Sequence, residues 1–212
     1  MATSITLFKE TGLKMISIYT ENVEDVWFGV AYEEENIFAT TFASNENGAL
    51  HGLLASIPFY VHFQRSRKPS AFAEQVITAL KDIYNGRSIS REFALSMECL
   101  SEYARNVLQV VRMVPLGYVT SYGAIAKIAG GSPRAVGRIM ALNPFAPVVP
   151  CHRVVNSNFT LGGYGGGLKA KLAFLQREKQ GYMRKHEVPF NGRKLQVFPV
   201  EFVLERLEKS KC

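Results

Sequence analysis

The segment NPFAPVVPCHRVVNSN, residues 143–158, places a thiol, an imidazole and a guanidinium side by side in an otherwise apolar run. Cysteine is a good nucleophile only as the thiolate, and its ordinary pKa of about 8.5 leaves little thiolate at neutral pH. A neighbouring base corrects this, and His152 directly follows Cys151. Adjacent side chains of a strand point apart, so contact between the two requires a turn or a relaying water. The chemistry that these residues could perform is nucleophilic attack by the Cys151 thiolate. Taken alone, however, a Cys-His pair is more often a buried structural cysteine beside a surface histidine.

Elements on both sides of this segment strengthen the nucleophilic interpretation. TSYGAIAKIAG predicts a short helix with a Thr or Ser cap, and SPRAVGRIMALN predicts a second helix with Ser132 as its cap and Pro133 at its first position. Two short helices joined by glycines are a helix-turn-helix candidate, a weak signal because many helical domains contain such a pair. LGGYGGG follows and permits unusual backbone angles or a close approach to the backbone. Glu178 is one candidate for a carboxylate that orients the histidine, but spacing alone does not single it out.

The remaining segments predict the scaffold. Residues 14–43 alternate or are rich in strand-forming types, and residues 33–36 have the composition of a hairpin turn. An Asn-Gly pair within residues 187–198 predicts a second hairpin. Apolar spacing and caps predict helices over residues 48–61, broken near Pro58, over 70–84 with Ser70 as cap, and over 101–114, 168–180 and 199–211.

Composition narrows the classes of function. The 212 residues are 47% hydrophobic, enough for one sizeable domain or two small ones with a real core. A net charge of +7 favours a polyanionic partner, nucleic acid first, over the simpler alternative of a basic soluble protein. We expect no membrane partner and an intracellular protein, since apolar runs are short and the start lacks a signal-peptide core. Three sparse cysteines and four scattered histidines predict neither a disulfide framework nor a metal site.

PCHRVV, together with SYGAIA, RAVG, NP and GGYGGGLKAKLAFLQRE, resembles the O6-alkylguanine-DNA alkyltransferases, also called methylated-DNA–protein-cysteine methyltransferases. The resemblance is close over residues 101–178, general before residue 90 and slight after residue 180. It implies an α+β fold with a small ribonuclease-H-like α/β domain over residues 1–91. A mostly helical winged helix-turn-helix domain over 92–180 would hold the active site, and residues 181–212 would be an extension of unknown role.

The resemblance also implies a reaction that uses each molecule once. The protein would take an alkyl group from O6 of a damaged guanine in DNA onto Cys151, as a stable thioether, without cofactor or metal. His152 would accept the thiol proton through a water, and Glu178 would hold the imidazole. Asn143 would brace the turn around the site, and Arg153 would support the fold by bonding backbone carbonyls.

Substrate contacts follow from the same resemblance. Tyr122 would donate a hydrogen bond to a guanine ring nitrogen as charge develops there, which stabilises the transition state more than the ground state. Tyr164 would line the pocket and stack on the base. The carbonyls of Cys151 and Val154 would accept from the guanine amino group. Gly165 stands where the family often has serine. If the family contact to O6 comes from the backbone N–H, glycine preserves it; if the serine hydroxyl contributes, this protein would differ in rate or alkyl preference.

For DNA, the resemblance implies double-stranded DNA bound through the minor groove, with the damaged base flipped out of the duplex. Arg134 would fill the gap left by the flipped nucleotide. The alternative is a solvated residue of the first helical turn, but an arginine there opposes the helix dipole, which slightly favours the functional role. Ala135 and Gly137 are small enough for the helix to lie close to the groove floor. We expect a monomer in the cytoplasm, or in the nucleus of a eukaryote.

Three other functions compete with alkyl transfer. A lesion-binding relative without catalysis would lack the acceptor cysteine, which this chain has. A winged-helix transcription regulator would account for the charge and the helix pair, but for neither PCHRV nor the glycine-rich loop. A thiol hydrolase with a Cys-His-Glu relay would turn over repeatedly and would have no need of the helix pair.

Overall fold

Two β-sheets and seven α-helices make up residues 15–209, the part of the chain that the computed structural model describes. The fold is mixed α+β, as the sequence predicts. The chain divides into two compact units, one ending at residue 81 and including 91–96, the other comprising 82–90 and the residues from 97 onward. The first fourteen residues of the predicted N-terminal domain and the last three of the predicted extension lie outside the described residues.

The sheet of the first unit has five strands in the order β4-β1-β2-β3-β5. The three long strands β1, β2 and β3 pair antiparallel. The short edge strand β4 pairs parallel with β1, and the short edge strand β5 pairs parallel with β3. The predicted hairpin turn is confirmed, since β2 ends at residue 33 and β3 begins at residue 36. The strands are β1 Met15–Val23, β2 Val26–Glu33, β3 Asn36–Ala43, β4 His62–Arg65 and β5 Ala94–Leu95.

Helices α1 (Glu46–Leu54) and α2 (Ala71–Tyr84) accompany this sheet. The predicted Ser70 cap is confirmed, because its Oγ accepts a hydrogen bond of 3.1 Å from the backbone N–H of Ala73. One core cluster of the first unit joins strand residues to α1 through Ile16, Ile18, Ala31, Phe38, Ala39 and Leu53.

The second unit combines five helices with a four-stranded sheet in the order β7-β6-β9-β8. The core beneath this sheet includes Val119, Val155, Leu175, Val200 and Val203. Its elements are α3 Glu102–Arg112, β6 Tyr118–Ser121, α4 Tyr122–Ala129, α5 Pro133–Ala141, β7 Val154–Val155, α6 Gly167–Arg177, β8 His186–Phe190, β9 Arg193–Pro199 and α7 Val200–Lys209. Within residues 15–209, every helix is too short or too polar to cross a bilayer.

Both helices of the predicted pair begin at serine caps. The alternative left open for α4 resolves to Ser121, whose Oγ accepts from the N–H of Ala124 at 3.0 Å. Ser132 caps α5 in the same way at 3.2 Å, with Pro133 at the first helical position as predicted. These caps fix where each helix starts.

The segment after residue 180 is part of the second sheet. The predicted hairpin is confirmed as β8 and β9, joined at Asn191 and Gly192. β9 also pairs antiparallel with β6, with Val119 opposite Phe198, so the end of the chain completes a sheet begun about 80 residues earlier. The predicted final helix is α7.

A close contact at Gly86 gives a test of how the end of α6 is held. Gly86 has φ +70°, and an added Cβ would lie 2.3 Å from the carbonyl oxygen of Arg177. Gly86→Ala should therefore cost more than about 2 kcal/mol of unfolding free energy, measured by urea denaturation. Gly192→Ala is the matched control: its φ is +74° with nothing within 4 Å of the added carbon, so only backbone strain of about 1 kcal/mol applies. Equal losses would contradict the contact.

Candidate active site

Cys151, His152 and Arg153 form a short 3₁₀ turn between Pro150 and β7, not a strand. The turn sends consecutive side chains in different directions, and both Cys151 and His152 are buried. Asn143 braces the approach to it. Its Nδ2 donates to the carbonyl of Val149 at 2.9 Å, and its Oδ1 accepts from the N–H of Phe145 at 3.0 Å.

The buried carboxylate of Glu178 joins the histidine to the arginine. Its Oε1 lies 2.8 Å from His152 Nε2. Arg153 donates from Nε to Oε2 at 2.9 Å and from Nη2 to Oε1 at 2.8 Å. Arg153 also donates from Nη1 to the carbonyl of Val114 at 2.7 Å. The predicted bonding of Arg153 to backbone carbonyls thus accounts for its contact with Val114. The other hydrogen bonds of its guanidinium go to the carboxylate of Glu178, which the fork of N–H donors fits.

The charges in this cluster follow from burial and pairing. Burial would raise the pKa of Glu178, but the charges and hydrogen bonds of His152 and Arg153 outweigh it and lower that pKa to about 2. Burial also lowers the pKa of His152, against the opposing pull of Glu178. At neutral pH the cluster is therefore an ionised carboxylate between a neutral imidazole and a charged guanidinium.

The tautomer of His152 follows from the same contacts. Its Nε2 must carry the hydrogen, because the partner of that nitrogen is an ionised carboxylate. Its Nδ1 is buried and has no hydrogen-bond partner among the described residues. The ring is held flat against Phe174, with centroids 4.5 Å apart. The free nitrogen is thus an unprotonated base in a fixed orientation.

Lys171 is a buried cation that the sequence analysis missed. Its Nζ donates to the carbonyls of Val154 at 2.6 Å and Gly163 at 3.2 Å, and to that of Leu161. Burial lowers its pKa to about 8, while the negative charge available at Cys151 opposes that shift. The sequence did carry a signal for this residue. Residues 171, 174, 175 and 178 share one face of the predicted helix, and the first and last of them are charged while the two between them are apolar.

Cys151 carries opposing influences on its thiol. Burial raises its pKa, whereas hydrogen bonding from Asn143 and the charge of Lys171 lower it. The net direction is upward, so the thiol is protonated at rest. Activation therefore requires a base, and the unpaired nitrogen of His152 is the nearest in sequence.

A cavity of about 760 Å³ opens onto Cys151. Of the predicted site residues, it brings together Cys151, Tyr122, Tyr164, Gly165, Arg134 and Gly137 on its walls. His152, Glu178, Arg153, Asn143, Val154 and Ala135 do not line it. The first four of these belong to the layer that holds the cysteine, and Val154 gives its carbonyl to Lys171.

The two tyrosines on the cavity wall keep their protons. Burial, and then the nearby Cys151 charge, raise the pKa of Tyr122, and its hydroxyl donates to the carbonyl of Gly163 at 3.2 Å. Burial likewise raises the pKa of Tyr164, whose hydroxyl has no partner among the described residues. At Gly165 nothing lies within 4 Å of an added Cβ, so this glycine leaves open space in the cavity.

Arg134 lies exposed in the first turn of α5, at the mouth of this cavity. Half-buried Ala135 and Gly137 follow on the same helix. The described residues contain no cluster of three or more His, Cys, Asp or Glu side chains suited to a metal ion.

Comparison with known proteins matches this region to one family. A family model described as 6-O-methylguanine DNA methyltransferase, DNA binding domain, matches residues 102–180. The methylated-DNA–protein-cysteine methyltransferase of Mycobacterium leprae is 43% identical over 112 residues, which are 51% of this chain and 66% of that relative's length.

Solved structures extend the similarity to both units. The O6-methylguanine-DNA methyltransferase from Pyrococcus kodakaraensis is 31% identical with a TM-score of 0.58, over 77% of this chain and 99% of that one. Mycobacterium tuberculosis OGT in complex with DNA is 25% identical with a TM-score of 0.62, over 77% and 92% of the two chains.

The buried ion pair makes a prediction about acid stability. Because the pKa of Glu178 is lowered to about 2 in the folded protein, its stabilisation is complete above the ordinary pKa of about 4.3 and is lost as the pH falls toward 2. The unfolding free energy of the wild type should fall by about 3 kcal/mol more than that of Glu178→Gln over this range. Urea unfolding at several pH values measures both. Glu208→Gln, at an exposed position of α7, is the control, and parallel curves for wild type and Glu178→Gln would refute the prediction.

Proposed function

The chain belongs to the O6-methylguanine-DNA methyltransferase family, and from this we propose that it repairs DNA by transferring the alkyl group of O6-alkylguanine to its own Cys151. The observation that carries the proposal is the buried thiol at the base of a cavity, backed by a histidine whose one free nitrogen is basic. The transfer is irreversible, so each molecule acts once, as a methylated-DNA–protein-cysteine methyltransferase.

The reaction begins with removal of the thiol proton. His152 Nδ1 has no direct hydrogen bond to Cys151, so the proton passes through an intermediary such as a water. Glu178 stabilises the imidazolium that results, as a fixed negative charge beside a new positive one. The charge of Lys171 favours the thiolate. No cofactor has a role in this step.

The thiolate sulfur then attacks the alkyl carbon, forming the S–C bond as the C–O6 bond breaks. The bonding electrons pass to the guanine, and a proton from the Tyr122 hydroxyl is shared with its ring nitrogen as charge develops there. Tyr122 suits this role because burial keeps it protonated, and it would give up its bond to Gly163. Such a donor acts mainly in the transition state.

Guanine is selected by backbone and ring contacts. Tyr164 stacks on the base, and the backbone N–H of Gly165 faces O6. The carbonyls of Cys151 and Val154 accept from the exocyclic amino group. The Lys171 bond already present at Val154 uses one of two lone pairs, so it orients that carbonyl and leaves it able to accept a second donor.

Access to the cavity requires a base flipped out of double-stranded DNA. We assign α4 and α5 as a winged helix-turn-helix that enters the minor groove, with Arg134 filling the space left by the base. Ala135 and Gly137 permit the close approach. The first unit takes the ribonuclease-H-like fold in this proposal, and the protein acts as a monomer in the cytoplasm, or in the nucleus of a eukaryotic cell.

Cys151→Ser tests the transfer itself. The variant should accept no alkyl group from a duplex containing one O6-methylguanine and should still bind that duplex, since only the nucleophile is weakened. Intact-protein mass with peptide mapping is the measurement. Wild type should gain one methyl group on this residue and then stop. Cys99→Ser removes an exposed cysteine and should react like wild type. Transfer by the Cys151 variant, or repeated turnover by wild type, would overturn the mechanism.

Arg134→Ala tests base flipping separately from chemistry. Its rate with O6-methylguanine in duplex DNA should fall at least about tenfold more than its rate with free O6-benzylguanine, which needs no flipping. Single-turnover kinetics on the two substrates give this ratio. Arg138→Ala removes another exposed arginine of α5 and is the control. Equal losses on both substrates would exclude the proposed role of Arg134.

A further inference from the structure

We propose that the C-terminal hairpin of β8 and β9 forms a second contact with DNA, in which its basic groove binds the phosphodiester backbone beside the flipped nucleotide. The inference rests on the proposed function for the identity of the duplex. It assigns a role to a segment beyond residues 102–180, where the family model matches.

The hairpin is fixed to the site by the sheet. β9 pairs with β6, the strand that leads directly into Tyr122. Thr120 Oγ1 adds a hydrogen bond of 2.8 Å to the carbonyl of Gln196. One face of the hairpin is buried through Val188, Leu195 and Val197, so the opposite face is presented in a set orientation.

The tip of the hairpin contacts α4, the first helix of the pair. Arg193 Nη1 donates to the carbonyls of Lys127 at 3.1 Å and Ile128 at 2.9 Å, in the last turn of α4. A cation at this end of a helix is favourable. The contact places the tip beside the turn that leads into α5 and Arg134, the helix assigned to the minor groove.

A groove of about 540 Å³ runs between the hairpin and α4. It shares Gly123, Asn156 and Ser157 with the active-site cavity, so the two form one continuous surface. A strand that delivers its nucleotide to the cavity has its neighbouring phosphates within reach of this groove.

The chemistry of the groove suits phosphate groups. Exposed Lys127 and Lys194 line it, together with hydroxyl and amide groups from Ser157, Asn156 and Gln196. Contacts of these types make up most protein bonds to the DNA backbone. One acid, Glu187, also lines it and lies 3.1 Å from Lys194. Both side chains of that pair are more than half exposed, so the pair is weak and exchanges readily for a phosphate.

The sequence around the hairpin also carries a net positive charge. Residues 179–199 contain five lysines and arginines against Glu187 as their one acid, and four of the five lie in or next to the hairpin. This concentration accounts for much of the protein's positive charge and supports a polyanionic occupant over a protein or small apolar ligand.

The first experiment removes the two groove cations in the full-length chain as Lys127→Gln/Lys194→Gln. Binding to an undamaged duplex is measured over a range of salt concentrations. Two lost phosphate contacts should reduce the slope of log affinity against log salt by about 2 and the affinity at low salt by about tenfold. Arg206→Gln/Lys209→Gln removes the same charge from α7 and should leave the slope unchanged. An unchanged slope in the groove variant, or an equal change in the control, would overturn the proposal.

A second variant should change affinity in the opposite direction. Glu187→Gln removes the acid of the groove and should tighten duplex binding by roughly threefold at low salt, a gain that misfolding cannot produce. Equal or weaker binding by this variant would count against the groove.

Alkyl transfer from free O6-benzylguanine separates this inference from the function on which it rests. All three variants should react at the wild-type rate, because the small substrate does not reach the groove. If wild type fails to react, the proposed transfer is wrong, while the salt dependence still decides whether the groove binds DNA.

Discussion

The ionised carboxylate of Glu178 is the interaction on which the rest of the site depends. A lone carboxylate in a dry interior is costly, and this one is tolerated because Arg153 and His152 satisfy it. In return it fixes the tautomer of the histidine and anchors the 3₁₀ turn that carries Cys151. Arg153, held by this carboxylate, also donates a hydrogen bond to the carbonyl of Val114, just after α3. One charged group thus ties α6, the turn and α3 together.

Helix α6 sets the electrostatics on both sides of the cysteine. Glu178 just beyond its last turn opposes the lowering of the His152 pKa by burial, and Lys171 on the same face presents a positive charge to the thiol. Lys171 also donates to the carbonyl of Val154 in β7 and to two carbonyls of the loop between β7 and α6, those of Leu161 and Gly163, so a single side chain shapes the cavity wall and tunes the nucleophile. Burial of the thiol opposes this activation, which keeps the sulfur protonated until the base accepts its proton.

The end of the chain extends the same sheet from the other side. β9 lies against β6, and Arg193 reaches the last turn of α4. The residues that hold the chemistry and those at the basic groove therefore share one sheet, and Lys127 and Lys194 line the groove beside the cavity.

The sequence by itself determined the local structure and the types of reactive group. Helix caps and hairpin turns depend on residues within a few positions of one another. The caps at Ser70, Ser121 and Ser132 and the two turns could therefore be predicted without knowledge of the fold. The burial of Lys171 and the pairing of β6 with β9 were decided only by the tertiary structure. Both join residues far apart in the chain, and the cost or gain of a buried charge depends on partners that no local pattern specifies. The same reason explains why spacing alone could offer Glu178 only as one candidate, whereas the folded chain places it against the histidine.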